Sequence, residues 1–219
     1  MKQQKGFIFD LDGVIVDTAK FHFLAWRKLG ENFNFQLTEA QNEQLKGVSR
    51  VDSLNKILNW AGVEISQEEF DRFAWSKNEN YLTYVAQMTP EDILPGVKST
   101  IEKLKSGSYP IALGSASKNA PGILQKVGLF DQFDVIIDGN SVSKAKPDPE
   151  VFLQAANQLG VAPKDCIVFE DAHAGITAAN SAGMTSIALG DPGILSHADY
   201  VFNTFTEITI DFLTQLQSK

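Results

Sequence analysis

The sequence holds a single cysteine among 219 residues, so no intramolecular disulfide can form. That residue, Cys166, lies in the apolar run Cys166-Ile167-Val168-Phe169, where a buried, inert thiol is expected. No stretch reaches the roughly 18 consecutive apolar residues of a membrane-spanning helix. The segment Met1-Lys2-Gln3-Gln4-Lys5 is followed by only three apolar residues, Phe7, Ile8 and Phe9, before Asp10, which does not support a secretion signal. A reducing cytoplasm is the expected compartment, with no membrane partner. Positive charge is scarce too: 19 Lys+Arg stand against 27 Asp+Glu, for a net charge of −8. Such a surface repels a nucleic-acid backbone, so no nucleic-acid partner is expected, and an anionic ligand must meet local positive groups. Repeats and low-complexity tracts are absent, while 43% hydrophobic residues, with 15 Phe, exclude disordered, collagenous and coiled-coil classes. What remains is a globular chain large enough for one domain or two unequal ones.

Short apolar runs that end in polar residues recur at 6–9, 109–113, 133–137, 166–169, 185–189 and 200–202. They read as buried parallel strands. Helix signals fall between them: Asn119-Ala120-Pro121 before 123–127, Asp148-Pro149 before 151–159, and residues 172–182 after Glu170-Asp171. The alternation predicts a doubly wound, Rossmann-like α/β parallel sheet. Residues 19–88 carry only helical patterns, Phe21/Leu24/Ala25/Leu29, then Val51/Leu54/Ile57/Leu58/Ala61, then Phe70/Phe73/Ala74. An inserted all-helical cap (18–88) in an α/β core (1–17 and 89–219) is therefore expected, with the two crossings as a hinge.

The sharpest local feature is Phe7-Ile8-Phe9-Asp10-Leu11-Asp12-Gly13, an apolar strand that ends in two carboxylates and a glycine. In an open α/β sheet, ligands bind at the carboxyl ends of the strands. A solvated strand end is the plain alternative; a calcium loop is another, but Val14 stands where an EF-hand needs a ligand. A second pair, Glu170-Asp171, ends the run Ile167-Val168-Phe169, and in-register parallel strands would bring it beside Asp10. Clustered carboxylates need a cation, and an all-oxygen set favours a hard ion such as Mg²⁺. Neither G-x-x-x-x-G-K-[ST] nor G-x-G-x-x-G occurs, which lowers nucleotide-binding readings.

Two more strand ends suit phosphate: Gly114-Ser115-Ala116-Ser117-Lys118-Asn119, and Lys144-Ala145-Lys146-Pro147-Asp148. Taken singly, Ser115 reads equally as a turn serine and Lys146 as a solvated lysine. In the helical insert, Ser49-x-x-Asp52 forms a predicted capping box where Lys46, Gly47 and Arg50 cluster, a second anion-attracting spot or simply a capped helix with solvated cations. His22 and Trp26, four apart, are expected on a face different from Phe21/Leu24/Leu29, one turn apart and towards the interdomain cleft.

Together the four strand ends resemble the motif set of the haloacid dehalogenase-like phosphotransferase superfamily over the whole chain. The resemblance implies Asp10 as nucleophile, Asp12 as general acid/base, Ser115 and Lys146 as the motif Ser/Thr and Lys, and a Mg²⁺ site from Asp10, Asp12, Glu170 and Asp171. The segments Asp17-Thr18-Ala19-Lys20-Phe21-His22 and Leu45-Lys46-Gly47-Val48-Ser49-Arg50 resemble the helix-capped sugar phosphomutases of that superfamily, and Lys77 matches a sugar-facing cap position. Thr18, His22, Trp26, Lys46, Gly47, Val48, Ser49, Arg50, Ser53, Lys77, Ala116, Ser117, Lys118 and Asn119 are then the expected substrate-binding residues. Val16, where relatives often have a polar residue, is the visible departure and falls in the hinge. The implied reaction interconverts β-D-glucose 1-phosphate and β-D-glucose 6-phosphate through an aspartyl-phosphate and β-D-glucose 1,6-bisphosphate, in a monomer. The alternatives are a capped sugar-phosphate or phosphoglycolate phosphatase, and a non-catalytic phosphate sensor.

Overall fold

The computed structural model describes residues 5–216; the N-terminal segment read against a secretion signal, apart from Lys5, and the last three core residues lie outside the described residues. Among the described residues six strands form one parallel sheet in the order β3-β2-β1-β4-β5-β6. They are β1 (Gly6–Phe9), β2 (Ile111–Gly114), β3 (Val135–Ile137), β4 (Cys166–Glu170), β5 (Thr185–Leu189) and β6 (Tyr200–Phe202). The apolar runs locate all of them, because strands covered on both faces must be apolar at every position. Phe7, Phe9, Leu113, Ile167 and Phe169 feed one core layer; Ile8, Ala112, Cys166 and Val168 feed the other. Phe7, Phe9, Phe169 and Phe205 stack with ring centroids 4.7–6.3 Å apart, which fixes the centre of the sheet.

Between β1 and β2 lie α1 (Ala19–Gly30), α2 (Glu39–Glu43), α3 (Arg50–Ala61), α4 (Gln67–Val85) and α5 (Val97–Ser106). The first four surround a separate apolar cluster of Trp26, Leu29, Leu37, Leu45, Leu54, Ile57 and Leu58. The remaining helices are α6 (Ala120–Lys126), α7 (Glu150–Leu159), α8 (His173–Ser181) and α9 (Ile210–Gln215). Both crossings to the helical insert run side by side: Val16 bridges to Ile93, and the Leu94 amide donates to the Ile15 carbonyl at 2.9 Å. Val14, Ile15 and Val16 are fully buried, so the hinge is packed into the core. An apolar residue at 16 suits that burial.

Three expectations change. Leu24 is 43% exposed and Val51 51% exposed, although the pattern placed both on buried faces. Trp26 lines the cleft as expected but shares a buried stripe of α1 with Leu29 rather than lying on a different face, since residues three and four apart are neighbours on a helix. The predicted capping box is half formed: the Ser49 hydroxyl accepts from the Asp52 amide at 3.1 Å, but the Asp52 carboxylate takes its bond from that hydroxyl. The Cys166 thiol is buried as expected, and burial, then Asp165, pushes it up to about 12.

Candidate active site

Register builds the site. Phe9 pairs with Leu113 on one side and Phe169 on the other, so Asp10 and Glu170 emerge from adjacent strand ends. One oxygen each from Asp10, Glu170 and Asp171 lies within 4.8 Å of the others. Lys146 Nζ donates to Asp10 Oδ1 at 2.6 Å and to Glu170 Oε1 at 2.7 Å, with its own side chain fully buried. The second Glu170 oxygen accepts from the Asp171 and Ala172 amides at 2.8 and 2.9 Å. Both Glu170 oxygens are thus engaged, and its clearest duty here is to aim Lys146.

Two glycines make room for these carboxylates. A Cβ on Gly13, whose φ is +76°, would stand 2.1 Å from Asp171 Oδ2, and one on Gly175 would stand 1.6 Å from Glu170 Oε1. Burial, in spite of Lys146 and with repulsion from Glu170, raises the Asp10 carboxyl, and burial with Glu170 and Asp10 raises Asp171 well above the usual range. Burial pulls Lys146 down, but Asp10 and Glu170 outweigh it and the lysine stays charged. Negative charge is in excess. An all-oxygen set of this kind fits a hard divalent cation, with Asp10 and Asp171 the carboxylates that face the cleft. The Asp12 carboxylate is the exception among the expected ligands: it turns to the hinge side, accepting from the Thr18 hydroxyl and lying 3.8 Å from His22 Nε2.

The cleft between sheet and insert has a volume of about 490 Å³. Asp10, Asp12, Ser115, Lys146 and Asp171 line it from the core, and His22, Trp26, Lys46, Gly47, Val48, Ser49, Arg50, Ser53 and Lys77 from the helices. Ala116, Ser117, Lys118 and Asn119 complete one end. Of the expected site residues, Thr18 and Glu170 do not line the cleft; both are fully buried behind it. The turn after β2 is tied internally, the Ser117 amide donating to Ser115 Oγ at 3.1 Å and the Asn119 amide to Ser117 Oγ at 3.3 Å. Gly139 presses on it so closely that a Cβ there would lie 2.3 Å from the Ala116 carbonyl.

On the helical side Lys77 is 2% exposed, with Nζ 4.4 Å from the Trp26 ring centroid, 5.0 Å from that of Tyr81 and 2.8 Å from His22 Nδ1. Burial, then Arg50, lowers it to about 7. When Lys77 is protonated it only donates, so Nδ1 then accepts and the ring proton sits on Nε2, facing Asp12. His22 has 31% of its side chain open to the cleft, yet the surrounding protein, then Lys77, holds it well below its usual value and neutral. Asp12 is raised by burial, opposed by the Thr18 bond and by Lys77. Lys46 reaches Glu43 at 2.9 Å and Asp171 at 4.0 Å. Asn42, Asn78, Gly139 and Ser143 also line the cleft without having been singled out in the sequence. A lone asparagine or serine carries no pattern; only Asn78, next to Lys77, had a neighbouring signal.

A strand-end carboxylate bonded to a buried lysine, an acidic cluster that could hold a cation and a helical insert over a doubly wound sheet define a capped phosphoryl-transfer enzyme. Residues 4–183 match the haloacid dehalogenase-like hydrolase family, and the chain belongs to it. It is 42% identical to a β-phosphoglucomutase of Bacillus subtilis over 95% of this chain and 93% of that one. A crystal structure of β-phosphoglucomutase from Clostridium difficile superposes with a TM-score of 0.94 at 41% identity, covering 97% of this chain and 96% of the other. A phosphorylated carbohydrates phosphatase of Thermotoga maritima is 30% identical over 82% of each chain.

Proposed function

We propose that this chain is a β-phosphoglucomutase, interconverting β-D-glucose 1-phosphate and β-D-glucose 6-phosphate through an aspartyl-phosphate and β-D-glucose 1,6-bisphosphate. The observation that carries the reading is a cleft with phosphate-binding groups from both sides: Ser115 and Lys146 beside Asp10, and Arg50 with Ser117, Lys118 and Asn119 elsewhere on its wall. A hydrolase needs one such group; an enzyme that holds a bisphosphate intermediate needs two. The core is assigned to residues 1–17 and 89–219 and the cap to 18–88, and the protein acts as a cytoplasmic monomer.

Phosphorylated Asp10 donates first: the free hydroxyl of the sugar monophosphate gives its proton to Asp12 and attacks phosphorus as the bond from phosphorus to Asp10 breaks, which yields the bisphosphate. The Ser115 hydroxyl and Lys146 ammonium hold the transferring oxygens. In the second half, with the bisphosphate turned end for end, an oxygen of Asp10 attacks its other phosphorus as the bond from phosphorus to the sugar oxygen breaks, and Asp12 protonates the departing oxygen. Mg²⁺, held by Asp10 and Asp171, would offset charge on the phosphoryl oxygens. Thr18 holds Asp12 at the hinge, and the neutral His22, oriented by Lys77, is the ring that meets it.

The purified protein with Mg²⁺, a trace of bisphosphate and each anomer of glucose 1-phosphate tests this. Glucose 6-phosphate from the β anomer is the expected product. Stoichiometric inorganic phosphate would make the enzyme a phosphatase instead, and neither product would point to a sensor.

A further inference from the structure

The side chain of Asn119 does something unusual for its position. It stands at the start of α6, where an asparagine commonly caps the helix, yet it makes no side-chain cap bond. Its Nδ2 donates instead across the cleft to Asn78 Oδ1 on α4, at 2.9 Å, partly buried and 41 residues away in sequence. Asn78 directly follows Lys77, whose Nζ reaches His22 and through it faces Asp12. Two consecutive residues of one helix therefore address both ends of the cleft, the acid/base end and the Ser117-Lys118-Asn119 end.

We propose that Asn78 is a positioning residue: its bond to Asn119 sets the distance between the cap and the phosphate-binding turn, so that Arg50 from one side and Lys118 and Asn119 from the other grip the same distal phosphate. An amide nitrogen carries two donors, and the latch uses one, leaving the other for the ligand. The latch and the phosphate are compatible. Pre-organisation of this kind strengthens binding of a ligand that spans the cleft and does nothing for one that occupies only the Asp10 end. This inference rests on the mutase reading for its substrate, though the latch itself does not.

Two measurements test it. Asn78→Ala should raise KM for β-glucose 1-phosphate about fivefold, near the worth of one part-buried hydrogen bond, with kcat and acetyl phosphate hydrolysis within about twofold of the parent. In an Asn119→Ala background the same change should add nothing further. Unchanged KM, equal losses on acetyl phosphate, or an additive effect in that background would each overturn the proposal. The second readout needs no turnover: Glu68→Cys on the cap and Lys103→Cys on the core, both exposed, accept a fluorescent donor and acceptor, while the buried Cys166 does not compete. The ligand-free distance distribution should broaden in Asn78→Ala, and an unchanged distribution would overturn the latch. If the parent enzyme fails to isomerise, the mutase reading fails, and the distance distribution still decides the latch.

Discussion

On the core side of the cleft three carboxylates, Asp10, Glu170 and Asp171, cluster, and one ammonium, Lys146, pairs with the first two; on the cap side Lys77 and Arg50 lie near one another around a neutral imidazole. The perturbations run in opposite directions accordingly. Asp10 and Asp171 in the core are pushed up by burial and by neighbouring carboxylates, while Lys77 and Arg50 in the cap are pulled down by burial. Each side is electrostatically incomplete, the core short of a cation and the cap short of an anion. A divalent cation with a phosphorylated sugar supplies both at once, and closing the cap over them would exclude water.

The largest effect should come from the nucleophile. Asp10→Asn removes the attacking oxygen's charge and a cation ligand, and isomerisation should fall by at least about a thousandfold with the fold retained; residual activity within tenfold of the parent would remove Asp10 from its role. Next comes the cation site. Asp171→Ala should shift the Mg²⁺ concentration for half-maximal activity upward by about ten- to a hundredfold, and an unchanged Mg²⁺ curve would show that Asp171 is not a ligand.

The cap side is probed by Arg50→Lys, which keeps the charge and loses the planar fork. Isomerisation should fall about tenfold while hydrolysis of acetyl phosphate, which has no distal phosphate, stays within about twofold; equal losses would assign Arg50 to folding or closure. The smallest effect is on stability. Lys77 gives up its proton near pH 7 in the folded protein but near 10.5 when unfolded, so across that window the unfolded state binds more protons and wild-type stability rises with pH. Lys77→Met should therefore raise Tm most at or below pH 7, with the gain shrinking towards pH 10. A gain independent of pH would show that the burial cost is not one of charge.

The core side was legible in the sequence because it is made of strand ends. An apolar run that stops at Asp10 or Glu170 announces both the strand and the residue at its tip, and parallel register then brings the tips together. The cap side was legible only in part, because a helix shows its face through a stripe that tertiary packing can shift. Trp26 was placed at the cleft, where it lies, but off the Leu29 stripe, with which it packs under Lys77; Leu24 and Val51 were placed inside and are exposed. The turn of Asp12 towards Thr18 depends on a hinge whose path no local pattern states. Asn78 and Gly139 act through neighbours distant in sequence, which a single chain does not reveal.

Titration calorimetry of glucose 6-phosphate, with and without Mg²⁺, measures whether the two sides are completed jointly. The complementary charges predict binding at least about tenfold tighter with Mg²⁺ present, since the cation offsets the carboxylates that otherwise repel the phosphate. The same Kd in both titrations would show that the acidic core and the basic cap take their ligands independently, and would contradict this description of the cleft.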